Sequence, residues 1–181
     1  MKDKMQRIMG IMLFGLLAGL LLAACGGNSA EDVVWTTFES SDMGFSMEVP
    51  ETWTQENNAE LSIVSLKHPD EDVGVFVFAV SRADMASFGA ETPEDLLGVF
   101  IAQAMSDDVN VQIVQEVQPV TINGQEGATA VLEGELEGQQ GLLTFTAIGG
   151  ENNVVIMSTG DGTEGDFDAL LQRMRDSIVV N

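Results

Sequence analysis

Ile122-Asn123-Gly124-Gln125-Glu126-Gly127 decides the fold. Asparagine and glycine both tolerate the positive φ of a type I′ turn, so the pair predicts the tip of a tight β-hairpin. Working outward, strands are expected over 111–117, 127–136, 142–148 and 154–159, with glycine-rich turns at 137–141 and 149–153. After the last strand the apolar period changes from two to 3.6. Phe167, Leu170, Leu171, Met174 and Ile178 fall on one helical stripe, with Asp166 in the N-cap position. Such a stripe must be buried against a sheet.

Upstream, Phe45, Met47 and Val49 alternate with Ser46 and Glu48, a half-buried strand that Pro50 ends. Residues 61–66 and 73–80 read as two more strands around the polar turn 67–72, and the three are expected to form a meander. Thr92-Pro93-Glu94-Asp95 starts a helix: a hydroxyl at the N-cap, proline at the first helical position and carboxylates near the positive end of the dipole. Leu96, Leu97, Phe100, Ile101, Ala104 and Met105 follow at helical spacing, and Asp107-Asp108 closes the helix. Strands, helix, strands, helix, joined by hairpin-length turns, predict an α+β domain: a mostly antiparallel sheet of about six to seven strands covered by helices. No internal repeat is present.

Gly44-Phe45-Ser46-Met47-Glu48-Val49-Pro50-Glu51-Thr52-Trp53 resembles the opening strand and proline-to-tryptophan turn of the PsbP-like family, which includes a photosystem II extrinsic subunit and various bacterial lipoproteins. The Asn123-Gly124 hairpin, its long strands and the terminal helix are similar too, so the resemblance covers roughly 44–179. It implies an α/β/α sandwich and a non-enzymatic accessory role beside membrane complexes, and it brings no catalytic residues.

The N-terminus carries Lys2, Lys4 and Arg7 before an uncharged run over 8–24, the architecture of a signal peptide. Leu22-Ala23-Ala24-Cys25 resembles the bacterial lipobox, in which diacylglycerol alkylates the cysteine thiol, cleavage follows, and the new amino group is open to acylation, as with palmitate. An uncleaved membrane helix is the competing reading, since the run reaches the lower limit for spanning a bilayer; Cys25 decides against it, because ordinary signal peptidase wants a small residue where Leu22 stands. Residues 1–24 are therefore expected to be the signal peptide, 25–41 the lipidated Cys25 and its tether, and 42–181 one α+β domain. Two acyl chains suffice for stable attachment. Within the tether, Val33, Val34, Trp35 and Phe38 are expected to dock on the domain or form a short strand. The expected location is the extracytoplasmic face of a bacterial cell membrane, held by lipid.

Cleavage before Cys25 leaves 157 residues, enough for one sizeable core. Four basic residues, Lys67, Arg82, Arg173 and Arg175, then face 28 acidic ones, a net charge of −24. Nucleic-acid binding is excluded, since phosphate contacts need clustered lysine and arginine. The same charge opposes lying on anionic lipid. With Cys25 the only cysteine, neither a disulfide within the chain nor a cysteine metal cluster can form.

Gly160-Asp161-Gly162-Thr163-Glu164-Gly165 spells the dinucleotide fingerprint between a strand and a helix. A nucleotide-binding unit needs another strand after that helix, and carboxylates stand where pyrophosphate would sit. The loop is read as a helix-capping connection. Asp161, Glu164, Asp166 and Asp168 remain candidate oxygen ligands for calcium, although their spacing matches no EF-hand. Asp70-Glu71-Asp72 is expected to be a solvated turn. His68, the only histidine, is expected at the surface; Trp53 is expected to plug one end of the core, and Phe76 and Phe78 to lie in it. No cofactor is expected. The reading is a protein that is no enzyme and works by binding, as an accessory or assembly factor at an envelope complex. A ligand- or calcium-binding lipoprotein is the alternative, and a hydrolase built on His68 or paired carboxylates comes third. Nothing in the sequence sets the oligomeric state.

Overall fold

A computed structural model describes residues 33–58, 62–71, 73–106, 111–136, 139–161 and 167–181. The Asn123-Gly124 hairpin forms as expected: φ is +51° and +76° at the two residues, and Ile122 pairs with Gln125. Its arms are two twelve-residue strands, β6 (Val111–Ile122) and β7 (Gln125–Leu136). β7 continues into β8 (Gln139–Gly149) and β9 (Asn153–Asp161) through antiparallel pairing.

Three shorter strands complete this sheet: β3 (Thr54–Asn58), β4 (Ile63–Lys67) and β5 (Val73–Ser81). β5 pairs with β9, giving the order β3-β4-β5-β9-β8-β7-β6 with every pair antiparallel. The expected meander is corrected in one member. Phe45–Pro50 (β2) does not join β4 and β5, and the polar Thr54–Asn58 takes that place. The physical reason is the turn at Pro50, closed by the Trp53 N–H donating to the Pro50 carbonyl at 3.1 Å. It carries the chain across the core, so β2 faces the large sheet instead of extending it.

β2 is the middle of a second sheet, between β1 (Trp35–Ser40) and β10 (Val179–Val180). Trp35–Ser40, within the stretch expected as tether, forms the short strand expected as one alternative there, and it pairs with β2. Arg173 holds the start of β1, lying 4.2 Å from the Trp35 ring centre while its Nε meets Glu48 Oε2 at 2.9 Å.

Three helices pack on these sheets among the described residues. α1 is a single turn, Arg82–Met85, followed by a 3₁₀ turn over Ala86–Phe88. α2 (Pro93–Ser106) covers β6, β7 and β8 on one face, where Leu96, Leu97 and Ile101 meet Ala128, Ala130, Leu132 and Ile156. Its start is as read: Asp95 N–H donates to Thr92 Oγ1 at 3.1 Å and Thr92 N–H to Asp95 Oδ2 at 3.0 Å, a reciprocal cap. The hydrogen bonds from the Thr92 side chain and from the Glu91 and Thr92 backbones hold the Asp95 carboxyl below its ordinary value.

α3 (Asp168–Ser177) lies on the opposite face with the small sheet. All five predicted stripe residues are buried, Met174 and Ile178 completely; full burial of each such side chain contributes roughly 1.5–3 kcal/mol. Phe167 stands at the start of α3, the Leu171 N–H donating to its carbonyl. Asp166 lies outside the described residues. At the other end, Asn123 Nδ2 donates to the Asp176 and Ile178 carbonyls, so the hairpin tip also caps α3.

Candidate functional site

The site begins in the alternation of β8. Leu143, Phe145 and Ala147 face α2, so Leu142, Thr144 and Thr146 face the side of α3. An apolar residue at every inward position would signal a fully covered sheet. Threonines signal one that is not. α3 packs on β2 and β9, and between it and β7–β8 lies a cleft of about 280 Å³.

Its floor holds three threonines, Thr159 on β9 opposite Thr144 on β8, and Thr146, which is paired across β7 with Thr129 just outside the cleft. The Thr129 hydroxyl donates to the Phe145 carbonyl at 3.1 Å and lies 3.4 Å from the Thr146 hydroxyl. Asp168, Gln172 and Arg175, at i, i+4 and i+7 of α3, form the polar wall, and Val131, Leu142, Met157 and Leu171 supply apolar contact. Arg175 Nε meets Asp176 Oδ1 at 3.0 Å, and the guanidinium carries further donors. The cleft thus offers hydroxyls, an amide, one cation and one carboxylate over an apolar base, the chemistry of hydrogen-bonded recognition.

The candidates from the sequence are scattered. Cys25, Glu164 and Asp166 lie outside the described residues. Asp161 ends β9, its backbone paired with Val73 and Leu142. Asp168 is exposed at the cleft, and among the described residues no three of His, Cys, Asp and Glu are grouped to hold a metal. His68 is not a plain surface residue. It is half-buried, its ring edge-on to Trp53 at 6.0 Å and Phe167 at 5.2 Å between centres. Nδ1 accepts the backbone N–H of Asp70 at 3.2 Å and of Glu71 at 3.0 Å. Its chemistry is engaged in closing the turn, and Asp70 and Glu71 are exposed as expected. Trp53 is buried at the pivot after Pro50, as read, and Phe78 packs on Phe100 at 4.8 Å. Phe76 departs from expectation: it is 46% exposed, because α2 covers the other half of that face.

No protein-family model matches the chain, nor does any curated protein. Solved structures do match. The solution structure of cyanobacterial PsbP (CyanoP) from Synechocystis sp. PCC 6803 aligns with a TM-score of 0.60 over 87% of this chain and 97% of that one, at 14% identity. The chain has a PsbP-like fold. A protein of unknown function from Pseudomonas aeruginosa aligns at 0.53, 15% identical, over 81% of this chain and 97% of that one. A Bacteroides thetaiotaomicron structure aligns at 0.55, 16% identical, over 80% of this chain and 48% of its own longer chain. At such identities the likeness is one of fold.

Proposed function

We propose that the protein is a lipid-anchored, extracytoplasmic accessory protein that works by binding, and that the cleft beside α3 receives part of an envelope complex. The observation that carries this reading is the cleft itself: three threonines, Gln172 and Arg175 converge on one opening, and Asp168 is the one described carboxylate on its lining. That grouping can orient a polar partner, whereas a hydrolase of the expected kind would need His68 or a second carboxylate there. The lipobox around Cys25 and the PsbP-like fold support the same reading.

Affinity capture of the tagged full-length protein from detergent-solubilised membranes tests it. A stoichiometric partner is expected, and it should be lost when Thr144→Arg fills the cleft. Recovery of no such partner, or capture indifferent to the substitution, overturns the reading. Mass spectrometry of the mature N-terminus tests the anchor: a diacylglycerol thioether on Cys25 is expected, and an unmodified Cys25 inside an intact leader refutes it.

A further inference from the structure

Where α2 stops covering the large sheet, phenylalanines from β5, the 3₁₀ turn and α2 gather along its border. Phe76 pairs across β5 with Ser65 on one side and Ser158 on the other, so small neighbours leave its ring standing free. Two residues along the same face, Phe78 packs on Phe100 of α2 with the rings tilted by 53°, and Phe100 meets Phe88 at 6.3 Å. Phe76 and Phe88 are each nearly half exposed, at 46% and 45%, and Val99 extends the surface along α2. Large aromatic side chains held out in this way carry an unfavourable hydration cost unless a partner covers them, and they are the residue type that anchors interfaces. Beside Phe76, the Ser65 hydroxyl is buried without a hydrogen-bond partner.

Charge decides among the occupants. Around Phe88 and Phe100 in the chain, Asp84 on α1, Glu91 in the turn before α2, and Glu94 and Asp95 in the first turn of α2 are exposed. Against these four carboxylates, Arg82 on α1 is one exposed cation, its Nε donating to the Gly150 carbonyl, and Lys67 is exposed at the far end of β4. A second copy of a chain with a net charge of −22 is repelled, as is an anionic bilayer. A basic, amphipathic protein segment is attracted, and its apolar face fits the rings while its lysines or arginines meet the rim.

We infer that the Phe76–Phe78–Phe88–Phe100 surface docks an amphipathic segment of a partner protein, apolar on one face and rich in lysine or arginine on the other. This inference rests on the reading that the protein works by binding, and it places a second contact on the face opposite the cleft. The test is fluorescence anisotropy of a labelled amphipathic Leu/Lys peptide, and of its twin with each Lys replaced by Glu, titrated with the mature chain. The Leu/Lys peptide should bind, and Phe76→Ser with Phe88→Ser should weaken it by about tenfold or more. Salt should weaken it too, and the Leu/Glu twin should bind at least about tenfold less tightly. Equal binding of the twin, indifference to the double substitution, or loss of both Phe-dependent exposures to self-association in sedimentation or to neutral lipid vesicles would each overturn the inference. Thr144→Arg, which closes the cleft, should leave peptide binding unchanged, so failure here and failure of the cleft reading are separate results.

Discussion

Two single residues show how much local order rests on small polar contacts. His68 is fixed by two backbone donors on Nδ1 and by the rings of Trp53 and Phe167. His68→Ala strips all four at once and leaves the Asp70 and Glu71 amides to water. We expect a loss of about 1–3 kcal/mol in urea denaturation, read most clearly as an earlier change in Trp53 fluorescence. A variant as stable as the parent would remove the histidine from the account of the turn. Asp95 gives the pH-dependent counterpart. Its folded pKa lies below the ordinary 3.8 because Thr92 and two backbone amides bond the carboxylate. The cap therefore stabilises α2 above that ordinary value and is lost as pH falls through the folded one. In Thr92→Ala the largest of these bonds is gone, so the Asp95 midpoint followed by NMR should rise toward 3.8, and unchanged titration would refute the reciprocal cap.

Among elements, α3 and the β6–β7 hairpin depend on each other through Asn123, whose side chain reaches the Asp176 and Ile178 carbonyls while its backbone sits at φ +51°. Asn123→Ala removes both bonds and places an ill-suited residue in the left-handed region. A cost of about 2 kcal/mol, seen as a lower urea midpoint at unchanged slope, is the expected outcome. The turn was legible because Asn-Gly has few other uses, and α3 because five apolar residues keep one period. The helix-capping role of Asn123 was not, since it joins residues 53 and 55 positions apart. β3 escaped notice for a different reason: Thr-Gln-Glu-Asn-Asn has no apolar member, and an edge strand paired on one side needs none. Phe76 was misplaced because period-2 alternation tells which residues share a face but not which half of that face a helix covers. The cleft had a sequence signal, threonines at inward positions of β8, although the residues it brings together from β7, β9 and α3 meet only through topology.

For the whole molecule, 28 acidic and only four basic side chains lie in residues 25–181, around a body of three layers. Like charges crowded by folding repel one another, so screening should stabilise the native state. The melting temperature of the mature chain should rise between about 0.01 M and about 0.5 M NaCl; a flat or falling trend would mean that specific ion pairs outweigh the overall repulsion. Only two ion pairs are found among the described residues, Arg173–Glu48 and Arg175–Asp176, and both are at the surface. The first of them ties β2 to the helix, and the same Arg173 lies over Trp35 at the start of β1, which has a mechanical side. Tension arriving at Trp35 along the strand axis is shared by the whole ladder from Trp35–Pro50 to Ser40–Phe45 and by the ring contact with Arg173. The pairs are then loaded in shear together instead of being peeled apart in turn. If the body hangs from a moving bilayer by its N-terminal side, β1 is its coupling, stiff along the direction in which the membrane pulls.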